Sequence, residues 1–239
     1  VEVKFASVKL SKVEKALSLK GRFSKIFKYE KEYIKGLEGV HINSEVVKTI
    51  LISLKRAQKF EKIARNICED HPEYKNFLYS YWSDDCAIGM ALLRQSDQEV
   101  RCFSRIHGWD VYFEASAINY LPLRRFIAEN LDAIFAISQA GKDYCYNRWK
   151  IKSPKKVEIA RLGVAEQEFQ TYYDEPFTIV SCASMIPLKR IDLLLDAIAL
   201  LDTEKKIRWV HFGDGALANA LKERSKEIIG NHVQVEFMG

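Results

Sequence analysis

Three short segments of the sequence carry residue types that could bind a ligand, and each directly follows an apolar run. In an open parallel sheet, ligands bind where such runs end and loops lead into helices. The first segment is 105–112, in which His107 stands next to Gly108 and a carboxylate, Asp110, follows three residues after the histidine. It predicts a hydrogen-bonding loop. The same residues also fit an ordinary turn in which His107 and Asp110 bond to each other or to nearby backbone.

The second segment, 181–192, places two adjacent cations at the start of a helical pattern, Lys189 and Arg190. Cations are locally unfavourable at the positive end of a helix dipole, so an anion bound between them would explain their position. A diphosphate fits this requirement. The alternative is a pair of exposed side chains, with Arg190 paired to Asp192 or to another surface carboxylate.

The third segment, 211–215, holds two glycines around one aspartate. Gly213 and Gly215 would let the backbone approach a flat ring or a phosphate, and Asp214 is expected to cap the following helix. An ordinary turn between strand and helix would have the same composition. The sequence contains no P-loop, dinucleotide fingerprint, zinc-protease or α/β-hydrolase motif and no regularly spaced metal ligands, which disfavours those classes.

The elements that position these segments alternate along the chain. Apolar residues at intervals of three and four predict one long amphipathic helix over 45–69, with Ser44 as its N-cap and Glu45 at its positive end. The aromatic-rich run 77–82 predicts a buried strand that leads into a helix ending near Leu93. Further strands are predicted at 100–106 and 134–137, with a helix over 139–149.

The polar stretch 165–176 interrupts this alternation and predicts an interdomain linker, with a boundary near Tyr172 and therefore domains at 1–172 and 173–239. After it, the pattern is β-α-β-α-β, half of a doubly wound parallel sheet, so the fold class is α/β. The predicted strands are 177–182, 207–212 and 233–237, and the predicted helices are 189–201 and 216–229.

The composition is that of a globular protein: of 239 residues, 48% are hydrophobic and 29% charged. No apolar run reaches the roughly 20 residues of a membrane helix, and the first residues lack the apolar core of a signal peptide, so they give no support to secretion. Five cysteines without C-x-x-C spacing predict reduced, mostly buried thiols and a cytoplasmic protein. They are Cys68, Cys86, Cys102, Cys145 and Cys182.

In their order along the chain, these segments resemble the family 4 retaining glycosyltransferases. Segment 105–110 resembles the histidine loop of the family's N-terminal domain, and 179–194 resembles the strand, basic loop and helix that hold the donor diphosphate. Segment 212–215 is similar to the family's G-D-G turn near the nucleotide. Shorter similarities lie at 136–138 and 161–164, so the resemblance covers 77–239.

The resemblance implies a GT-B fold of two Rossmann-like domains and the transfer of a sugar from a nucleotide-diphosphate donor, with retained configuration, to a glycan or lipid-linked acceptor in polysaccharide biosynthesis. It implies no metal and no other cofactor. The catalytic residues it implies are Lys189, Arg190 and His107; the donor-binding residues are Ser184, Gly213, Asp214 and Gly215; the acceptor-side loop residues are Arg105, Gly108, Asp110 and Tyr112.

Two departures from the family pattern stand out. Many relatives carry arginine where this chain has Ser184, and glycine is common where it has Arg190. The family's acidic E-x7-E element would lie beyond Gly239, and the N-terminal strand and glycine loop are missing. We therefore expect an internal fragment of a longer enzyme, with both domains incomplete and inactive on its own.

The charge of the chain is concentrated at one end. Residues 1–70 hold 16 basic and 9 acidic residues, a net charge of +7, which leaves −2 for the remainder. Such charge is usually a solvated surface, and the alternative is that it binds anionic lipid or phosphate, so that the N-terminal domain docks on an anionic cytoplasmic membrane. No nucleic-acid-binding module is recognisable. The alternatives are a nucleotide-sugar epimerase or phosphorylase of the same fold, and a noncatalytic module that binds nucleotide sugars or membranes.

Overall fold

The computed structural model describes residues 9–11, 25–166, 168 and 176–239. The chain divides into two compact units, Val1–Val164 (unit 1) and Ala165–Gly239 (unit 2). Each unit has its own hydrophobic core, built between a parallel sheet and the helices that connect its strands.

Unit 1 is a four-stranded parallel sheet with the strand order β1-β2-β3-β4. Strands that follow one another in the chain are thus neighbours in the sheet, as in one half of a doubly wound fold. The described strands are β1 (Phe77–Ser80), β2 (Arg101–Ile106), β3 (Ala133–Ala136) and β4 (Val157–Ile159). The described helices are α1 (Lys25–Lys35), α2 (Ser44–Glu69), α3 (Asp85–Ser96), α4 (Arg124–Asn130) and α5 (Gln139–Arg148).

The long amphipathic helix predicted before the sheet is observed as α2. Ile50, Leu51 and Ala57 on its apolar face are buried in the core of unit 1. The predicted N-cap, however, is wrong by one residue. The Asn43 side chain accepts hydrogen bonds from the Glu45 and Val46 amides at 3.0 and 2.9 Å, because residue 44 is already helical.

The two faces of the unit 1 sheet differ. On the inner face, residues such as Cys102 and Ile134 are fully buried under the helices. The outer face carries a ladder of phenylalanines, in which Phe103 stacks at 6.4 Å on Phe77 and at 6.0 Å on Phe135. The prediction of a buried strand over 77–82 was wrong, because β1 lies at the edge of the described sheet and Phe77 is 62% exposed.

Helix α1 is fixed to the rest of unit 1 by a buried carboxylate. Glu30 is fully buried and accepts hydrogen bonds from the Tyr120 hydroxyl and the Leu123 amide through Oε1. Its other oxygen, Oε2, has no hydrogen-bond partner among the residues that the structure describes. Burial outweighs the two hydrogen bonds and raises the pKa of Glu30 to about 7.

Unit 2 has the predicted β-α-β-α-β order, with three parallel strands in the order β5-β6-β7. All three strands begin and end at the predicted residues. The helices are shorter than predicted, since Pro187–Lys189 forms a separate 3₁₀ turn before the first of them. The elements are β5 (Phe177–Cys182), α6 (Ile191–Ala199), β6 (Ile207–Phe212), α7 (Ala218–Ile228) and β7 (Val233–Phe237).

Within the described ranges, no helix is both long and apolar enough to cross a membrane. All five cysteines are free thiols. Cys68, Cys102 and Cys145 are buried, Cys86 is half-buried and Cys182 is exposed.

Candidate functional site

The loop after β2 is organised by a single buried carboxylate. Asp110 is fully buried, and its Oδ1 accepts hydrogen bonds from the backbone amides of His107 and Gly108 at 2.9 and 3.1 Å. Its Oδ2 accepts from the Ser83 amide at 3.0 Å, which joins this loop to the one after β1. Asp110 therefore positions the loop from beneath.

Two arginines of unit 1 also use their guanidinium groups in hydrogen bonds within the unit. The guanidinium of Arg124 is buried and donates to the Asp110 and Pro122 carbonyl oxygens at 2.9 and 3.0 Å. Burial lowers the pKa of Arg124. Arg105, predicted for the acceptor-side loop, donates to the Tyr79 hydroxyl at 3.0 Å and to the Ala160 carbonyl at 2.7 Å. It thereby bridges β1 and the chain after β4.

The imidazole of His107 is buried and unpaired. Its side chain is 10% exposed, and neither ring nitrogen has a hydrogen-bond partner among the described residues. Nδ1 lies 3.9 Å from Asp110 Oδ2, which is beyond hydrogen-bond distance. Of the alternative in which these residues bond to each other or to nearby backbone, the bond between the two side chains is not observed, but Asp110 does bond to nearby backbone amides. Burial lowers the pKa of His107, which favours the neutral form of the imidazole.

Two aromatic side chains contact this imidazole and a third packs on one of them; we call Tyr81, Trp82, His107 and Trp109 the aromatic cluster. The His107 ring centroid lies 4.5 Å from that of Tyr81 and 4.2 Å from that of Trp82. Trp109 packs on Trp82 at 5.2 Å. Sequence reasoning assigned no role to these aromatics. The available signal was that Tyr81 and Trp82 directly follow β1, whose neighbour in a parallel sheet is β2.

The remaining predicted residues of this loop have different surroundings. An added Cβ on Gly108 would meet open space. Tyr112 is half-buried, and its ring packs edge-on against Tyr144 at 4.8 Å. The structure therefore brings the predicted unit 1 residues onto one ordered loop, in which His107 has unused hydrogen-bonding capacity.

In unit 2, the loops after β5 and β6 are joined by backbone hydrogen bonds. The Ala183 amide donates to the Phe212 carbonyl at 3.0 Å, and the Met185 amide donates to the Asp214 carbonyl at 2.9 Å. The Met185 carbonyl then accepts from the Leu217 amide at 3.0 Å. The two loops form one continuous surface at the carboxyl edge of the sheet.

The two glycines of the third segment are explained by this close packing. A Cβ on Gly213, whose φ is 138°, would lie 2.1 Å from the Ala183 carbonyl oxygen. A Cβ on Gly215 would lie 2.5 Å from the Met185 carbonyl oxygen. Because real Cβ atoms do not approach backbone so closely, neither position can accept a side chain without a shift of the loop.

A buried hydrogen-bond chain supports the same loops from below. Trp209 Nε1 donates to Ser181 Oγ at 2.9 Å, and Ser181 Oγ lies 2.7 Å from His211 Nδ1. His211 Nε2 lies 3.0 Å from the Ala183 carbonyl oxygen. Since that carbonyl can only accept, Nε2 carries the proton and the serine donates to Nδ1. This network, which holds the backbone before Ser184, was not anticipated from the sequence.

The prediction for Asp214 was wrong. Its Oδ1 accepts a hydrogen bond from the neighbouring Gly215 amide at 2.7 Å. Helix α7 begins three residues too late for Asp214 to cap it, and its N-cap residue, Leu217, makes no side-chain cap.

Of the two predicted cations, only one is paired. Arg190 donates through its guanidinium to the Asp192 carboxylate at 2.9 Å, and this contact lowers the pKa of Asp192. The alternative of a surface ion pair is therefore observed for Arg190, which adopts a left-handed backbone with φ 50°. The ammonium group of Lys189 forms no hydrogen bond or ion pair with any residue in the described ranges, and Ser184 on the same loop is exposed.

No group of three or more potential metal ligands occurs among the described residues. Cavities of about 560 and 700 Å³ are present in unit 1. They are lined by residues that precede strands, such as Asp132 and Val100. Both cavities thus lie at the opposite sheet edge from the candidate site.

No protein-family model matches this sequence, and no curated protein is significantly similar to it. Solved structures with similar folds include the lipopolysaccharide outer core galactosyltransferase WaaB, with a TM-score of 0.54 at 17% identity over 78% of this chain. A glycosyltransferase from Rickettsia africae has a TM-score of 0.53 at 14% identity over 94% of this chain. Anabaena Alr3699/HepE, solved with UDP and glucose, has a TM-score of 0.52 at 14% identity over 76% of this chain.

These similarities show the fold. The predicted α/β class, with Rossmann-like parallel sheets of the GT-B type, is confirmed. The chain spans 49%, 62% and 53% of the length of WaaB, the Rickettsia protein and HepE, respectively.

Proposed function

We propose that this chain belongs to a glycosyltransferase that uses a nucleotide-diphosphate sugar as donor. The observation that carries the proposal is the unpaired ammonium of Lys189, which lies on the loop after β5 at the carboxyl edge of a parallel sheet. Anionic ligands bind at this edge in open α/β sheets. The fold supports the proposal, since HepE holds UDP and glucose and WaaB is a galactosyltransferase.

The donor reaction requires positive charge at the leaving diphosphate. As the bond to the sugar breaks, negative charge develops on the β-phosphate, and without a metal ion a side chain must stabilise it. Lys189 supplies this charge. Arg190 contributes a second cation when it exchanges part of its contact with Asp192 for the phosphate. Gly213 and Gly215 allow the two loops of this surface to pack closely together, and Ser184 and Asp214 supply polar groups beside them.

Unit 1 binds the acceptor side in this proposal. The neutral imidazole of His107 offers one donor and one acceptor to a sugar hydroxyl. We further propose that the reaction retains the anomeric configuration and needs no metal, as in the family that the sequence resembles. The acceptor would be a glycan or a lipid-linked glycan, which places the protein in polysaccharide biosynthesis at the cytoplasmic membrane surface.

The test is binding of nucleoside diphosphates to the full chain, measured by calorimetry with UDP, GDP and ADP, with and without EDTA. We expect one of them to bind and EDTA to have no effect. Lys189→Ala should lose on the order of 3 kcal/mol of phosphate stabilisation, a roughly hundredfold effect on turnover and a clear loss of affinity. Lys205→Ala, an exposed lysine of the same unit, is the matched control.

Two results would contradict the proposal. One is the absence of binding by all three nucleotides. The other is equal affinity of Lys189→Ala and Lys205→Ala, which would remove the lysine from the donor site. Release of nucleoside diphosphate from the corresponding nucleotide sugar, with added glycan acceptor, then separates a transferase from a noncatalytic binding module.

A further inference from the structure

The aromatic cluster has the composition of a ligand site, and the donor chemistry does not use it. Two of its aromatic rings contact His107, and the rings form a chain in which Tyr81 lies edge-on to Trp82 at 5.1 Å and Trp82 packs on Trp109 at 5.2 Å. Tyr81 is 48% exposed and Trp109 is 50% exposed. Large rings half in solvent beside a buried polar group are typical of binding surfaces rather than of a core.

The state of His107 indicates what the ligand must supply. Both imidazole nitrogens are buried without a hydrogen-bond partner among the described residues. Leaving a buried polar group unpaired is unfavourable, and a ligand that pairs both nitrogens removes this penalty. A neutral imidazole presents one N–H donor and one acceptor, which matches hydroxyl groups, since each hydroxyl both donates and accepts.

Other ligand classes match the cluster less well. A quaternary ammonium ion would form cation–π interactions with the aromatic faces but would leave both imidazole nitrogens unpaired. A carboxylate or phosphate would pair with the single N–H and face the buried carboxylate of Asp110, whose Oδ2 lies 3.9 Å from His107 Nδ1. A pyranose combines an apolar face of C–H groups with a rim of hydroxyls, and so matches both the rings and the imidazole.

We propose that Tyr81, Trp82, His107 and Trp109 form a subsite for one pyranose ring of the acceptor. This inference rests on the proposed function, since it identifies the acceptor as a glycan with a sugar ring at this position. The sugar packs its C–H face on the exposed aromatic rings, and its hydroxyls bond to the imidazole.

Tyr81 acts as a side-chain lid over this subsite. The imidazole nitrogens are covered, and in this proposal the half-exposed ring of Tyr81, 4.5 Å from that of His107, turns outward to let a hydroxyl reach them. The Tyr81 hydroxyl makes no hydrogen bond with any described residue, so the ring is positioned by its packing on Trp82 and His107.

The experiment is a titration of the full chain with the methyl α- and β-D-pyranosides of glucose, galactose and N-acetylglucosamine, in the absence of nucleotide. The readout is the ring resonances of His107 in NMR spectra, with glycerol as a polyol that lacks a ring. We expect at least one pyranoside to shift these resonances and glycerol to leave them unchanged. Tyr81→Ala and Trp109→Ala should each weaken pyranoside binding about fivefold, and Trp109→Phe should retain most of it.

The matched control is Tyr74→Ala, which removes an exposed tyrosine of unit 1 outside the cluster and should leave the affinity unchanged. The inference is overturned if no pyranoside shifts the His107 resonances, if Tyr74→Ala weakens binding as much as Tyr81→Ala, or if tetramethylammonium binds more tightly than every pyranoside. The wild-type titration decides the question even where a variant fails to fold.

The two proposals fail separately. Loss of nucleoside-diphosphate binding at Lys189 would defeat the transferase proposal and leave the pyranoside titration unaffected. If nucleotides bind but no pyranoside shifts the His107 resonances, only the proposed acceptor subsite is contradicted.

Discussion

Arg190 combines a backbone that favours glycine with a side chain that forms an ion pair. Its φ of 50° lies in the left-handed region, where residues with a Cβ are strained. Its guanidinium contacts Asp192, the acidic residue of the first turn of α6. The sequence suggested two adjacent cations or an Arg190–Asp192 pair, and the structure distinguishes the two cations, because Lys189, unlike Arg190, forms no ion pair with a described residue.

We expect Arg190→Gly to raise the melting temperature by a few degrees and to weaken nucleoside-diphosphate binding. Glycine adopts the left-handed conformation without strain, whereas the second cation is lost. Thermal unfolding and calorimetry on the same protein measure the two effects. Arg190→Ala serves as the control, since it removes the cation and keeps the strain. A gain in stability for Arg190→Ala equal to that of Arg190→Gly would contradict the explanation.

At Gly213, neighbouring backbone leaves no room for a side chain. We expect Gly213→Ala to lower the free energy of unfolding by at least about 2 kcal/mol, because the new methyl group would overlap the Ala183 carbonyl, 2.1 Å from the Cβ position. Gly163→Ala, where an added Cβ meets nothing within 4 Å, should change it by less than about 0.5 kcal/mol. Urea denaturation compares the two; equal effects would contradict this packing argument.

At the level of secondary-structure elements, the sequence predicted unit 2 better than unit 1. The strands of unit 2 begin and end as predicted, because their apolar runs are short and separated by helical patterns; β6, for example, lies between Lys206 and Gly213. In unit 1, β1 was expected to be buried, since four of its six candidate residues are aromatic. Burial depends on which strand lies at the sheet edge, and this order is a tertiary property that composition does not encode.

The candidate site was predictable in its location and only partly in its contacts. Strand ends and loop residues follow from local pattern, so the loops at His107, Lys189 and Gly213 are found where expected. Which atoms pair does not follow from pattern. The unpaired imidazole of His107 depends on packing between the loops after β1 and β2, and the bond from the Gly215 amide to Asp214 depends on the conformation of one loop.

Helix α1 is the element whose attachment depends on pH. The pKa of Glu30 is about 7 in the folded protein and near 4.3 in an unfolded chain, so the folded state binds this proton more tightly. The stabilisation from the protonated carboxyl is therefore complete below about pH 4.3 and is lost as the pH rises through 7.

We expect Glu30→Gln to be more stable than the wild type above pH 7, by on the order of 3 kcal/mol, and the advantage to shrink towards pH 5. The amide oxygen can still accept from Tyr120 and Leu123, and the side chain carries no charge to bury. Urea unfolding across this pH range measures the difference. Glu32→Gln, an exposed neighbour on α1, should show a difference that does not vary with pH. A flat difference for Glu30→Gln would contradict the raised pKa.

At the scale of the whole molecule, the positive charge is concentrated in the part of the sequence that belongs to unit 1 and not in unit 2. The net charge of +7 lies within residues 1–70, and the remaining residues carry −2. Anionic lipid attracts such a segment by about 1 kcal/mol for each lysine or arginine near the surface. This charge separation supports the proposal that unit 1 docks on a membrane that carries the acceptor.

We expect the chain to sediment with vesicles of phosphatidylcholine that contain phosphatidylglycerol, and not with phosphatidylcholine alone. Replacing the exposed Lys25 and Lys28 of α1 by glutamine should weaken binding by about an order of magnitude, and added salt should do the same. Replacing Lys205 and Lys206 of unit 2 by glutamine is the control. Docking through unit 1 would be contradicted if binding does not depend on the anionic lipid, or if it falls equally for the two pairs of lysine substitutions.

The strand order of both described sheets allows the chain to fold in step with its own translation. Each strand pairs with the strand that precedes it in the chain, from β1 to β4 and again from β5 to β7. As the ribosome delivers the chain from its amino end, every new strand finds its partner already made. No described strand has to insert between two earlier ones. The nascent chain can therefore extend each sheet in the order of translation, with a single growing edge exposed at a time.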